Sequence, residues 1–133
     1  MSSFGLLDKK DEADVEVQWG DQQRINQFSK CNARLELLEE EYAKQQTEKE
    51  YLDDLSMEIE LLDEDEPVRF KVGTTFMLIP LEDARWRVEK QKEEIDHKVD
   101  ELRDRIEATE KEMAELKTIL YNKFGKAINL EKD

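Results

Sequence analysis

Two long runs of the chain repeat apolar positions at alternating intervals of three and four residues, and a short stretch between them alternates with period two. From Asp21 to about Leu62 one column holds Phe28, Leu35, Tyr42, Lys49 and Ser56, and the other Cys31, Leu38, Gln45, Leu52 and Ile59. This is a heptad, and both columns fall on one stripe of a helix. Leu55 and Leu62 beside Ile59 turn the stripe slightly near the helix end. Gln45, Lys49 and Ser56 loosen the middle of the seam, although a lysine stem still covers apolar surface. From about Pro80 to Phe124 the pattern is stronger: Val88, Ile95, Leu102, Thr109 and Leu116 form one column, and Lys92, Val99, Ile106, Met113 and Leu120 the other, without a skip.

Between the runs, Val68, Phe70 and Val72 alternate with Arg69 and Lys71, and Thr75 to Ile79 is rich in strand formers. Gly73-Thr74 suits a two-residue type II′ turn, because glycine takes a positive φ without steric cost. The resulting hairpin would pair Val72 with Thr75, Phe70 with Met77 and Val68 with Ile79. One of its faces is apolar throughout, and the other sets Arg69 and Lys71 against Phe76 and Leu78. A two-stranded hairpin is marginal in water. No other stretch offers a long hydrophobic strand, so the missing strands are expected from other chains.

The boundaries are chemically marked. Gly20-Asp21 suits a helix start, and Glu66 before Pro67 is pushed out of the helical region. Pro80 with Glu82 and Asp83 suits the first turn of the second helix, and Gly125 after Phe124 suits a helix stop. Glu94/Lys98, Glu101/Arg105 and Glu107/Lys111 are spaced as stabilising i,i+4 pairs. Two helices of similar length joined by a hairpin predict an antiparallel pair, each helix about 60 Å long by its rise. Both chain termini then meet at the end away from the hairpin. There Val17, Trp19, Ile25, Phe28, Leu120, Phe124, Ile128 and Leu130 collect more apolar surface than two helix ends need, either as an adhesive tip or as a local cap. The predicted fold class is mainly α: a long antiparallel two-helix coiled coil joined by a single β-hairpin that takes its missing strands from other subunits. Its helices span about 21–62 and 80–124, the hairpin 68–79 and an apolar tail 125–131. Residues 1–14 are expected to be disordered, and 15–19 an extended lead-in.

Charge narrows the function classes. Of 133 residues, 42 % are charged and 38 % hydrophobic, the profile of long helices and not of a large compact core. The net charge of −14 opposes nucleic-acid and anionic-membrane partners, which need clustered lysine and arginine. No apolar run approaches a membrane span or a secretory signal core, so cytosol or nucleus is the expected compartment. A lone cysteine, Cys31, excludes an intrachain disulfide and a cysteine-based metal site; on the heptad stripe it reads as a small buried hydrophobe. His97, the single histidine, lies between Asp96 and Lys98 on a charged face and reads as solvated. Counting an EF-hand loop from Asp63 puts Val68 where glycine is required and Thr74 where glutamate is, which rejects calcium. Phosphate loops, metalloprotease motifs and nucleophile elbows are absent from the sequence, so neither an enzyme nor a cofactor is expected.

The chain resembles the β-class subunits of prefoldin in three stretches. These are Asp21-Gln22-Gln23-Arg24-Ile25-Asn26-Gln27-Phe28, Phe70-Lys71-Val72-Gly73-Thr74-Thr75-Phe76, and Leu120-Tyr121-Asn122-Lys123-Phe124-Gly125-Lys126-Ala127-Ile128-Asn129-Leu130-Glu131. One departure is Thr74, where the family often has aspartate. The resemblance implies a heterohexamer of two α-class and four β-class subunits, so that this chain would join two α-class and three further β-class partners. It implies that the hairpin contributes to an intersubunit β-barrel, with assembly through Val68, Phe70, Val72, Thr75, Phe76, Met77, Leu78 and Ile79. It further implies ATP-independent holding of non-native actin and tubulin by the distal tips, and transfer to the cytosolic chaperonin. The competing expectation is a coiled-coil scaffold or tether without chaperone activity, distinguished by whether a denatured client is kept from aggregating. A coiled-coil DNA-binding factor is excluded because no basic segment precedes either heptad run.

Overall fold

The computed structural model describes residues 16–130. In order they form helix α1 (Trp19–Glu60), strands β1 (Val68–Val72) and β2 (Thr75–Ile79), helix α2 (Leu81–Phe124) and a 3-10 turn over Gly125–Ala127. The segment 1–14 expected to be disordered, together with Val15 and Glu131, lies outside the described residues. Every position counted into the four heptad columns is buried or half-buried. Packing divides the chain into two units, one formed by Glu40–Arg103 and the other by the residues on either side of it.

In the Glu40–Arg103 unit the hairpin has the register read from the sequence: Val68 opposite Ile79, Phe70 opposite Met77 and Val72 opposite Thr75. Gly73 has φ +64°, and no residue other than glycine has a positive φ among those described, which is the φ pattern of a II′ turn. Val68 and Phe70 pack with Ile59, Leu81, Ala84 and Val88, with Leu55, Leu62 and Ile79 at the margin. This corrects the expectation that the hairpin's apolar face waits wholly for other chains. Its base is covered by the helix ends that flank it, and only Val72, Thr75 and Met77, nearer the turn, stay open.

Farther along the helices, Leu52, Ile95 and Val99 form a second cluster beside Tyr42. The seam that looks weak in the sequence is laced by two ion pairs of opposite sense, Lys49 to Asp96 at 2.9 Å and Lys92 to Asp53 at 3.6 Å. The bond to Asp96 raises the Lys49 pKa. Helix α1 ends by tightening, with Leu61 N–H donating to the Glu58 carbonyl and Leu62 N–H to that of Ile59. Pro80 proves to be the residue before α2: its carbonyl accepts Ala84 N–H at 3.0 Å, and the helix begins at Leu81. The exposed ion pairs on α2 also differ from those the spacing suggests. Glu101 takes His97 at 3.2 Å, while Lys90–Glu93 and Asp100–Arg103 form at i,i+3.

In the terminal unit, Ile25 and Phe28 of α1 meet Leu120 and Phe124 of α2. Gly125, at φ +56°, turns the chain back after α2. The 3-10 turn and extended Ile128 then lay Ala127, Ile128 and Leu130 onto the same cluster, with Val17, Met113, Leu116 and Tyr121 at its edge. Thr109, polar on the seam, is satisfied by donating to the Arg105 carbonyl at 2.8 Å.

Candidate functional site

The sequence nominates two surfaces, and the structure treats them differently. On the hairpin, β1 and β2 form a two-stranded sheet among the described residues, so each strand has an unpaired edge able to accept another strand. Phe76, Met77 and Leu78 are exposed, Leu78 by 70 %, and Val72 is exposed beside them. The Arg69 guanidinium lies 4.5 Å from the centroid of the Phe76 ring, so one aromatic of the outer face is already engaged by a cation. Phe76 keeps about half its surface open, and with Val72, Met77 and Leu78 it makes an apolar ribbon on strands with unpaired edges. Of the eight residues nominated for assembly, Val68 and Phe70 serve the chain's own core, Ile79 is half-buried, and Val72, Thr75, Phe76, Met77 and Leu78 are free to meet a partner.

The eight residues nominated for the tip divide another way. Ile25, Phe28, Leu120, Phe124, Ile128 and Leu130 are buried against one another, and Val17 is half-buried at their edge. Trp19 stands apart from them, 77 % exposed. As the first residue of α1, its side chain leaves the stripe that Ile25 and Phe28 define.

A polar clasp holds this cluster. The Asp21 carboxylate, 4 % exposed, accepts the Gln18 backbone N–H at 3.1 Å, which is half of a capping box and fixes the start of α1. It also accepts from Lys123 of α2 and faces Arg24 at 3.4 Å. The Lys123 bond lowers the Asp21 pKa, with help from the Gln18 N–H and the charge of Arg24, against the opposing effect of burial. Nearly three turns farther along α1, Cys31 donates its thiol hydrogen to Glu112, which also faces Arg34 at 3.8 Å. Desolvation, and next the Glu112 carboxylate, raise the Cys31 pKa, so the thiol stays protonated and inert. Neither the clasp nor this contact was legible in the sequence. Their partners lie on different helices, and no spacing rule links them.

No group of three or more His, Cys, Asp or Glu is placed to hold a metal among the described residues. None of the described helices is long and apolar enough to cross a membrane.

Helix, hairpin and helix with an apolar terminal cluster define a subunit of the prefoldin type, and the family model for prefoldin subunits matches residues 22–127, so the chain belongs to that family. More particularly, it is similar to proteins called prefoldin subunit 4. It is 43 % identical to that of Saccharomyces cerevisiae over 127 residues, covering 96 % of this chain and 98 % of the relative. To human prefoldin subunit 4 it is 34 % identical, covering 90 % of each chain. It is 37 % identical to the probable prefoldin subunit 4 of Drosophila melanogaster over 89 % of this chain and 86 % of that one. The crystal structure of the prefoldin beta subunit from Thermococcus strain KS-1 has the same fold, with a TM-score of 0.73 at 19 % identity, over 83 % of this chain and 96 % of that one. The chain is thus a chaperone-type subunit and not an enzyme, and it assembles with other prefoldin subunits.

Proposed function

We propose that this chain is one of four β-class subunits in a heterohexamer with two α-class subunits. In this reading the complex holds non-native actin and tubulin in the cytosol without ATP and passes them to the cytosolic chaperonin. The observation that carries the assembly part is the open ribbon Val72, Phe76, Met77 and Leu78 on a hairpin with two unpaired edges. Apolar side chains left on a small sheet with free edges gain both burial and backbone hydrogen bonds when neighbouring hairpins close around them. The holding of clients is supported by the family and by the apolar terminal cluster, to which the chain end contributes Ala127, Ile128 and Leu130.

The test is a reconstituted complex containing this chain, mixed with denaturant-unfolded actin and, separately, tubulin, with light scattering followed on dilution. Suppressed scattering, and transfer of the held client to added chaperonin on native gels, is the expected result. A complex that assembles yet leaves scattering unchanged would reduce the chain to a scaffold.

A further inference from the structure

In the terminal unit an open groove of about 510 Å³ runs along the first turns of α1, lined among others by Gly20, Gln23, Arg24, Gln27 and Lys30, with Leu116 of α2 as its apolar floor. The α1 positions recur at the spacing of one helix face. The charge of this region is opposite to that of the chain. Residues 20–34 and 116–130 together contain six lysines and arginines against one carboxylate, the buried Asp21, in a protein of net charge −14. Lys30 is exposed and has no carboxylate partner among the described residues. Exposed Trp19 precedes Gly20 in the chain, and exposed Ile119 follows Leu116 by one turn.

We infer that this groove docks acidic, extended segments of non-native polypeptides, an inference that rests on the holding function proposed above and names the client chemistry it favours. Three features fit that occupant. From Gly20 to Lys30 the helix rises about 15 Å, the length of roughly four or five residues of extended chain at strand rise. The amides of Gln23 and Gln27 can each donate and accept, and so bond to a peptide backbone whatever its side chains. Lys30, and Arg24 beyond the Nη1 that faces Asp21, then select carboxylates by charge, and Leu116 gives an intervening apolar residue somewhere to lie. Nothing comparable is offered to a basic segment here, since the lining residues carry no anion.

The experiment uses the assembled complex and three labelled peptides of equal length and equal phenylalanine content, whose remaining positions are glutamate, glutamine or lysine. Binding is followed by fluorescence anisotropy at two salt concentrations, beside a single-stranded oligothymidine. A second complex carries Gln23→Glu and Lys30→Glu, both exposed positions outside the packed cluster. The glutamate peptide should bind tightest and lose affinity with salt. In the variant its dissociation constant should rise roughly three- to tenfold, the scale of two exposed charge contacts, while the lysine peptide gains. Equal binding of the glutamate and lysine peptides, an unaffected variant, or oligothymidine binding as tight as the glutamate peptide would each overturn the inference. If denatured clients are still kept from aggregating, the holding function survives that result. A complex that protects no client at all removes both.

Discussion

Phe70 and Leu78 sit on opposite faces of the same hairpin, and their substitution should separate folding from assembly. Phe70 is 3 % exposed and packed against Ile59, Leu81, Ala84 and Val88. Phe70→Ala therefore opens a cavity between the hairpin and the helix ends, which at comparably packed sites costs about 3–5 kcal/mol. Most of the hairpin's attachment runs through Phe70 and Val68, so the loss should appear locally, as faster amide hydrogen exchange over residues 68–79. Leu78 touches none of the core clusters among the described residues. In the isolated chain Leu78→Asp should thus change stability by no more than about 0.5 kcal/mol, the range of ordinary surface substitutions. Inside an assembly that covers this face, the same carboxylate would be buried without a partner, at a cost of several kcal/mol. Hydrogen exchange and urea denaturation of the isolated chain, followed by size-exclusion chromatography with the partner subunits, read both effects. The reasoning fails if Phe70→Ala leaves exchange over 68–79 unchanged. It fails equally if Leu78→Asp enters the complex at the wild-type level.

Three further outcomes follow from the contacts described. Because the folded-state pKa of Asp21 lies below its ordinary value, the clasp to Lys123 is fully stabilising above about pH 5 and is lost as pH falls through the lowered value; Asp21→Asn should lower the melting temperature at pH 7 by more than it does in acid, and a gap that does not narrow as the pH is lowered would contradict this. Cys31, buried and held protonated beside Glu112, should react with a thiol reagent at pH 8 much more slowly in the native chain than in urea, and equal rates would show that the site is open. Lys49→Glu should lower the melting temperature by placing two carboxylates together, and adding Asp96→Lys should recover most of the loss; no recovery would mean that the 2.9 Å contact does not act as a pair.

The hairpin was legible because period two, a Gly-Thr turn and two strands of equal length admit one register, and Val68 to Ile79 follows it. The helices were legible because the 3-4 spacing persists through Lys92 and Thr109, where the residue type alone would not have shown it. What covers Val68 and Phe70 was not legible, since alternation assigns a residue to a face without saying which chain meets that face. Leu81, which helps complete that core, falls one heptad before Val88 on the same column, but Ala84 lies outside both columns. Trp19 misled for a related reason: it is apolar and near the terminal cluster in sequence, but the helix begins at Trp19 itself and turns the ring outward. The clasp between Asp21 and Lys123 joins residues 102 apart, beyond any local rule. The basic groove could have been found earlier, by counting charge segment by segment, because the net charge of −14 conceals a terminal region of opposite sign.

If the exposed hairpin ribbon makes this chain an integral subunit of a prefoldin complex, native mass spectrometry of the chain co-expressed with the other prefoldin subunits should record a six-subunit mass containing one copy of the wild-type chain. No such species should form when Leu78→Asp is combined with Met77→Asp, although that variant should remain helical alone. Recovery of the wild-type chain apart from its partners, or of the double variant within the full complex, would contradict it.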